Sequence, residues 1–341
     1  MISSFRYAAI NSKLKVRKRV FLDQKDYEAV LEFTSISEMT RFLKERIDFK
    51  EGFKDIHSRD AHRGELEVIL HRYEVAEIEK IIHYLSGSHQ MFFKTMLMEY
   101  EILDLQLILQ AIAKDGDLTM LEDRFVHSTR YSKIDYDTLL KAQTVPQFSE
   151  ALKGTIFYNS LKTLTLRDAT KREFHMEMKL YVLYYRELMK KANQLDKTDC
   201  QIAQDIIGTM IDQINIQWIY RGAKYYKISP EEILIYVLLD GKKLGYTKLK
   251  ELCYTSEFQA LAEKYLGYEV FKQNNDIFLE RTMDRYLHSY YLKQKGDNNI
   301  GVCLVYIYEL LLQIKDLVSI TECIRYGYNQ EEKKRYLIRI D

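Results

Sequence analysis

Only two prolines and thirteen glycines interrupt 341 residues, and this scarcity of chain breakers constrains the fold more than any other feature. Sheets and hairpins need frequent turn residues. Here the long uninterrupted runs are rich in Leu, Ile, Glu, Lys, Tyr and Met, so the expected class is all-α. Hydrophobic residues make up 47% of the chain, enough for one large core or several small ones, and the length favours more than one unit.

Segments about a hundred residues apart resemble one another. "EILDLQLI" from Glu101, "DQINIQWI" from Asp212 and "QIKDLVSI" from Gln313 align without gaps. Each starts with an acid or amide, carries Asp or Asn three positions later, and ends on Ile. Asp104, Asn215 and Asp316 hold the equivalent polar position. Leu105 and Ile108, Ile216 and Ile219, and Leu317 and Ile320 are each three apart, so each segment reads as a core helix with one apolar face. An upstream apolar helix precedes each one: "ELEVILHRY", "HMEMKLYVLYY" and "FLERTMDRY".

A cap signal follows each core helix: Thr119 with Glu122, Ser229 with Glu232, and Asn329 with Glu332. Ser229-Pro230-Glu231-Glu232 has proline at the first helical position, and its Glu232 carboxylate is expected to reach back to the Ser229 amide. The stretch "NIQWIYRGAKYYKISPEEI" is thus one helix ending and another beginning. Three pseudo-symmetric helical bundles are expected, at 1–115, 116–242 and 243–341, with linkers near "AKDGD" and "DGKKLGY".

Lys plus Arg total 51 against 50 for Asp plus Glu, so the whole chain has no strong field for a polyanion or an anionic membrane. Cys200, Cys253, Cys303 and Cys323 show no C-x-x-C spacing, which suits reduced thiols in the cytoplasm. The N-terminus lacks the order of a signal peptide. "IGVCLVYIYELLLQI" from Ile300 contains Glu309 and falls short of a spanning helix.

The phosphate-cradling, nucleophile-elbow and zinc-helix motifs are all absent, so no catalytic residue, metal or cofactor is expected. "HSRDAH", His57 to His62, reads as a polar loop rather than a metal site. The tyrosine pairs at 184–185, 225–226 and 290–291 suit bundle seams better than nucleotide stacking. Two basic clusters remain: Lys13 to Arg19, and Arg59, His62 and Arg63, each able to face either solvent or an acidic partner.

At this point the chain resembles the d subunit of the V-type ATPases, known as the C subunit in archaeal and bacterial A/V-type ATP synthases. The resemblance runs through Leu22, Asp26, Tyr27 and Glu28 near the N-terminus, through "INIQWIYRGAKYYKISPEEI", and through "YELLLQIKDLVSITECIRYGYNQEE". The family commonly has Asn-Leu-Arg at its last joint; here Asp316-Leu317-Val318 stands there, so no role for that arginine carries over. The resemblance implies a non-catalytic funnel on the cytoplasmic face of the membrane rotor ring. Its cavity would hold the foot of the shaft made by the D and F subunits, and it would carry torque that couples ATP hydrolysis or synthesis to H⁺ or Na⁺ transport. No nucleic acid is expected as a partner. The competing class is a helical-repeat adaptor that binds a peptide or nucleic acid in a concave groove, supported by the basic and aromatic residues Lys224 to Lys227.

Overall fold

The computed structural model describes residues 2–46, 49–53, 63–166, 173–271, 278–294, 296 and 298–339, and the side chains of all of these except 2–6, 51–52 and 173. Among the described residues the regular structure is helical, with no strand. The α-helices are α1 Ile2–Arg17, α2 Gln24–Glu32, α3 Ile36–Glu45, α4 Arg63–His83, α5 Gly87–Met96, α6 Met98–Ala113, α7 Tyr136–Leu139, α8 Val145–Ala151, α9 Tyr158–Leu161, α10 Glu173–Ala192, α11 Lys197–Lys224, α12 Pro230–Leu234, α13 Tyr246–Tyr254, α14 Phe258–Leu266, α15 Leu279–Gln294, α16 Gly301–Arg325 and α17 Gln330–Lys334.

Side-chain capping fixes several helix starts. Asp23 and Asp26 form a reciprocal capping box at α2, and Ser35 and Glu38 do the same at α3. Thr144 caps α8 with proline in its first turn, as Ser229 does for α12. Each arrangement satisfies amide donors that a helix start leaves open.

Two compact units emerge. The first comprises Met1–Leu85, Asp196–Ile206 and Leu266–Asp341. Its centre is α16, where six consecutive residues from Val302 to Ile307 are buried, so this helix has no solvent face along that stretch. Helices α1, α3, α4 and α15 pack around it. One buried charge there is heavily paired. Glu77, 1% exposed, accepts from Arg17 at 2.6 and 2.7 Å, Lys80 at 2.7 Å and the Tyr306 hydroxyl at 2.5 Å. That many donors offset the desolvation of a buried carboxylate.

The second unit comprises Ser86–Leu195 and Ile207–Tyr265. There α10 packs on α5 and α6, and α12 packs on α13. Its core includes Phe92, Phe93, Leu105, Ile108, Phe148, Tyr184 and Ile216. Trp218 is also buried in it. The four cysteines are free, and burial pushes the Cys323 thiol up to about 11, which suits an inert packing role.

Candidate functional site

The three aligned polar residues perform one structural task. Asp104, on α6 and 1% exposed, accepts from the Val126 amide at 2.9 Å and the His127 amide at 2.9 Å. His127 Nδ1 lies 2.7 Å from the same carboxylate, and its ring stacks on Tyr136 at 3.7 Å. Asn215, on α11 and fully buried, takes both backbone groups of Leu238: its Oδ1 accepts from the amide at 2.9 Å and its Nδ2 donates to the carbonyl at 2.8 Å. Asp316, on α16 and fully buried, accepts from the Ile338 amide at 2.7 Å, the Arg339 amide at 3.2 Å and the Tyr27 hydroxyl at 3.0 Å.

The held backbone lies 22 or 23 residues beyond the clamp in each case. A buried acceptor and a backbone donor that would otherwise be stranded thus satisfy each other. In the space between them, a residue with positive φ stands shortly beyond the end of each core helix: Asp115 at 50°, Lys227 at 53° and Gly327 at 69°. The left-handed residue reverses the chain and sends it toward the clamped segment.

The position three residues earlier adds a second hold. Asp212 accepts from the Lys243 amide at 2.7 Å and the Leu244 amide at 2.9 Å. A Cβ on Gly241 would fall 2.3 Å from the Asp212 carboxylate, so this turn needs glycine. Glu101 takes a hydrogen bond from Ser132, and burial holds its carboxyl above the usual range. Gln313 Oε1 accepts from the Leu22 amide at 2.7 Å and from Arg339 at 3.1 Å. These holds escape a reading based on side-chain motifs, because the partners are mostly backbone amides. Their one sequence signal is the acid or amide that opens each aligned segment, together with the aliphatic Val126, Leu238 and Ile338 at a common distance.

The three expected caps fare differently. Asn329 and Glu332 form the full reciprocal box at α17. Ser229 accepts from the Glu232 amide at 3.2 Å, while the Glu232 carboxylate lies 3.0 Å from His175 instead of closing the box. Thr119 does not cap a helix. Its amide and hydroxyl both donate to Asp117, at 2.9 and 2.7 Å, and the following short turn Glu122–Arg124 has no side-chain cap. The local Asp outcompetes the longer-range Glu because an Asx turn closes over two residues.

Arg59, His62 and the rest of "HSRDAH" lie outside the described residues. Arg63 opens α4, and its guanidinium meets Glu322 of α16 and lies 3.4 Å from Glu67. In the other basic cluster, Arg17 and Lys18 are tied to Glu77 and Glu309, whereas Lys13, Lys15 and Arg19 are exposed. Tyr225 and Tyr226 are half-exposed; Tyr226 stacks on Phe174 at 4.4 Å and Lys224 lies over the Tyr225 ring at 5.3 Å. Each of these contacts covers part of a ring that remains half-exposed.

These features define an all-helical scaffold in which Asp104, Asn215 and Asp316 hold backbone segments to their core helices. The chain belongs to the ATP synthase (C/AC39) subunit family, whose sequence profile matches residues 10–336. It is similar to the C subunit of the A-type ATP synthase of Methanocaldococcus jannaschii, 23% identical over 354 aligned positions, covering 98% of this chain and 86% of that protein. The corresponding protein of Methanosarcina mazei is 22% identical over 292 positions, covering 85% and 79%. That of Thermococcus onnurineus is 22% identical over 341 positions, covering 96% and 89%.

Proposed function

We propose that this chain is a non-catalytic central-stalk subunit of a rotary A/V-type ATPase. In this reading it is a socket that links a D–F rotor shaft to the membrane ring of proteolipid subunits, and it passes torque between ATP turnover and H⁺ or Na⁺ movement. It sits on the cytoplasmic face and is held to the membrane through protein contacts. Family membership over residues 10–336 carries the proposal. The clamps at Asp104, Asn215 and Asp316 support it, because a loop bonded into a core helix passes load to that helix instead of yielding. Among the described residues no helix is long and apolar enough to cross a membrane, which agrees with a peripheral attachment.

The clamps also favour three helical repeats, with both boundaries moved. A boundary at 115 would cut Asp104 from Val126 and His127, and one at 242 would cut Asp212 from Lys243 and Leu244, so the first repeat extends past His127 and the second past Leu244. Arg59, His62 and Arg63 are the proposed shaft-facing rim, with Arg63 anchored by its two acids. The test is to isolate the tagged chain from its native membrane and identify what accompanies it. D, F and ring subunits are expected; a soluble peptide or nucleic acid in their place would favour the groove adaptor.

A further inference from the structure

The first two core helices hold the backbone that leads into the next pair of short helices. α6 holds the Val126 and His127 amides through Asp104 and the Ser132 side chain through Glu101, and this segment runs into α7. α11 holds Leu238 through Asn215 and Lys243 and Leu244 through Asp212, and this segment runs into α13. At α16, Asp316 holds Ile338 and Arg339 as expected, but the amide held by Gln313 is that of Leu22, 291 residues away, and Leu22 runs into α2.

The neighbours match as well. Tyr27 donates to Asp316, and Tyr136 stacks on the His127 that Asp104 holds. α17 packs on α2 as α12 packs on α13. Lys333 of α17 donates to the Leu31 and Phe33 carbonyls at the end of α2, at 3.0 and 2.5 Å. Glu231 of α12 accepts from the Tyr254 hydroxyl at the end of α13, at 2.7 Å. The Arg339 guanidinium lies over the rings of both Phe21 and Tyr27.

We propose that Gln313 and Asp316 form a latch that captures the segment Phe21–Phe33 in the place the other core helices give to the segment following them, so that the N-terminal segment completes the third joint. The proposal rests on the repeat reading and not on the identity of any partner. At α6 and α11 the held segment follows its own core helix in the chain. At α16 the captured segment precedes it, and is brought to it by α1, which packs on α16, and by the Lys18–Glu309 pair just before Leu22.

Amide hydrogen exchange on the full chain tests this. The Leu22, Ile338 and Arg339 amides should be protected at least tenfold relative to free chain, as should those of Val126, Leu238, Lys243 and Leu244. Gln313→Met, which keeps the side-chain length and removes the acceptor, should speed Leu22 exchange at least tenfold without affecting Lys243 and Leu244. Gln313→Glu should keep protection, because acids fill this position in the other two helices. A Leu22 amide exchanging at the free-chain rate in the unaltered protein would remove the latch. Unchanged Leu22 protection in folded Gln313→Met would likewise overturn it. The first outcome is read on the unaltered chain without a partner, so it stands even if Gln313→Met fails to fold, and both leave the proposed function untouched.

Discussion

Replacing Asp316 by Asn should change how stability responds to pH. The Asp316 carboxyl is fully buried, and burial pushes it from 3.8 up to about 6, while hydrogen bonds from Ile338, Arg339 and Tyr27 and the charge of Arg339 pull the other way. Its folded value lies above its unfolded value, so the folded state binds the proton more tightly. The stability this group contributes is therefore full below about pH 4 and lost as pH rises through about 6. A shift of roughly 2 units, at about 1.4 kcal/mol each, gives a window of about 3 kcal/mol. Asn cannot titrate, and Asn215 fills the equivalent site with both its amide groups bonded. Turning one acceptor oxygen into a donor has its own cost, but that cost does not depend on pH. Urea unfolding of both proteins at pH 4 and pH 8 isolates the titrating part. The stability of Asp316→Asn minus that of the unaltered protein should rise by about 2–3 kcal/mol from pH 4 to pH 8. A difference that stays constant to within about 0.5 kcal/mol, the usual additivity error, would refute the reasoning.

Ser229→Ala should lower stability by about 1 kcal/mol, seen as a lower Tm, and leave partner affinity unchanged. Gly327→Ala should also cost about 1 kcal/mol in a denaturant titration: φ is 69° and nothing lies within 4 Å of an added Cβ, so the penalty is conformational and not a clash. Arg59→Glu with Arg63→Glu should weaken binding to purified D–F, more at low salt than at high, with helix content by circular dichroism unchanged. Undiminished binding at low salt would move suspicion to the exposed Lys13, Lys15 and Arg19.

The helical class was legible because breakers are scarce, and the three polar positions were legible because a charged or amide residue recurs inside an apolar stripe. What those residues hold was not. A backbone amide carries no sequence signature, and Leu22 reaches Gln313 across 291 positions, beyond any local pattern. Arg63 read as uncompensated charge for the same reason, since Glu322 is remote in sequence yet adjacent in the fold. Thr119 failed as a cap because T-x-x-E scored a four-residue pattern, while Asp117 two positions earlier competed for the same amide. Trp218 is buried and Tyr226 stacks on Phe174, so part of the apparent stacking surface is core and seam.

Calorimetric titration of the purified chain with purified D–F, alongside a single-stranded nucleic acid at low and high salt, tests the socket role most directly. A socket should form a one-to-one complex with D–F and give no heat with the nucleic acid. No heat with D–F, together with nucleic-acid binding that falls steeply as salt rises, would contradict it.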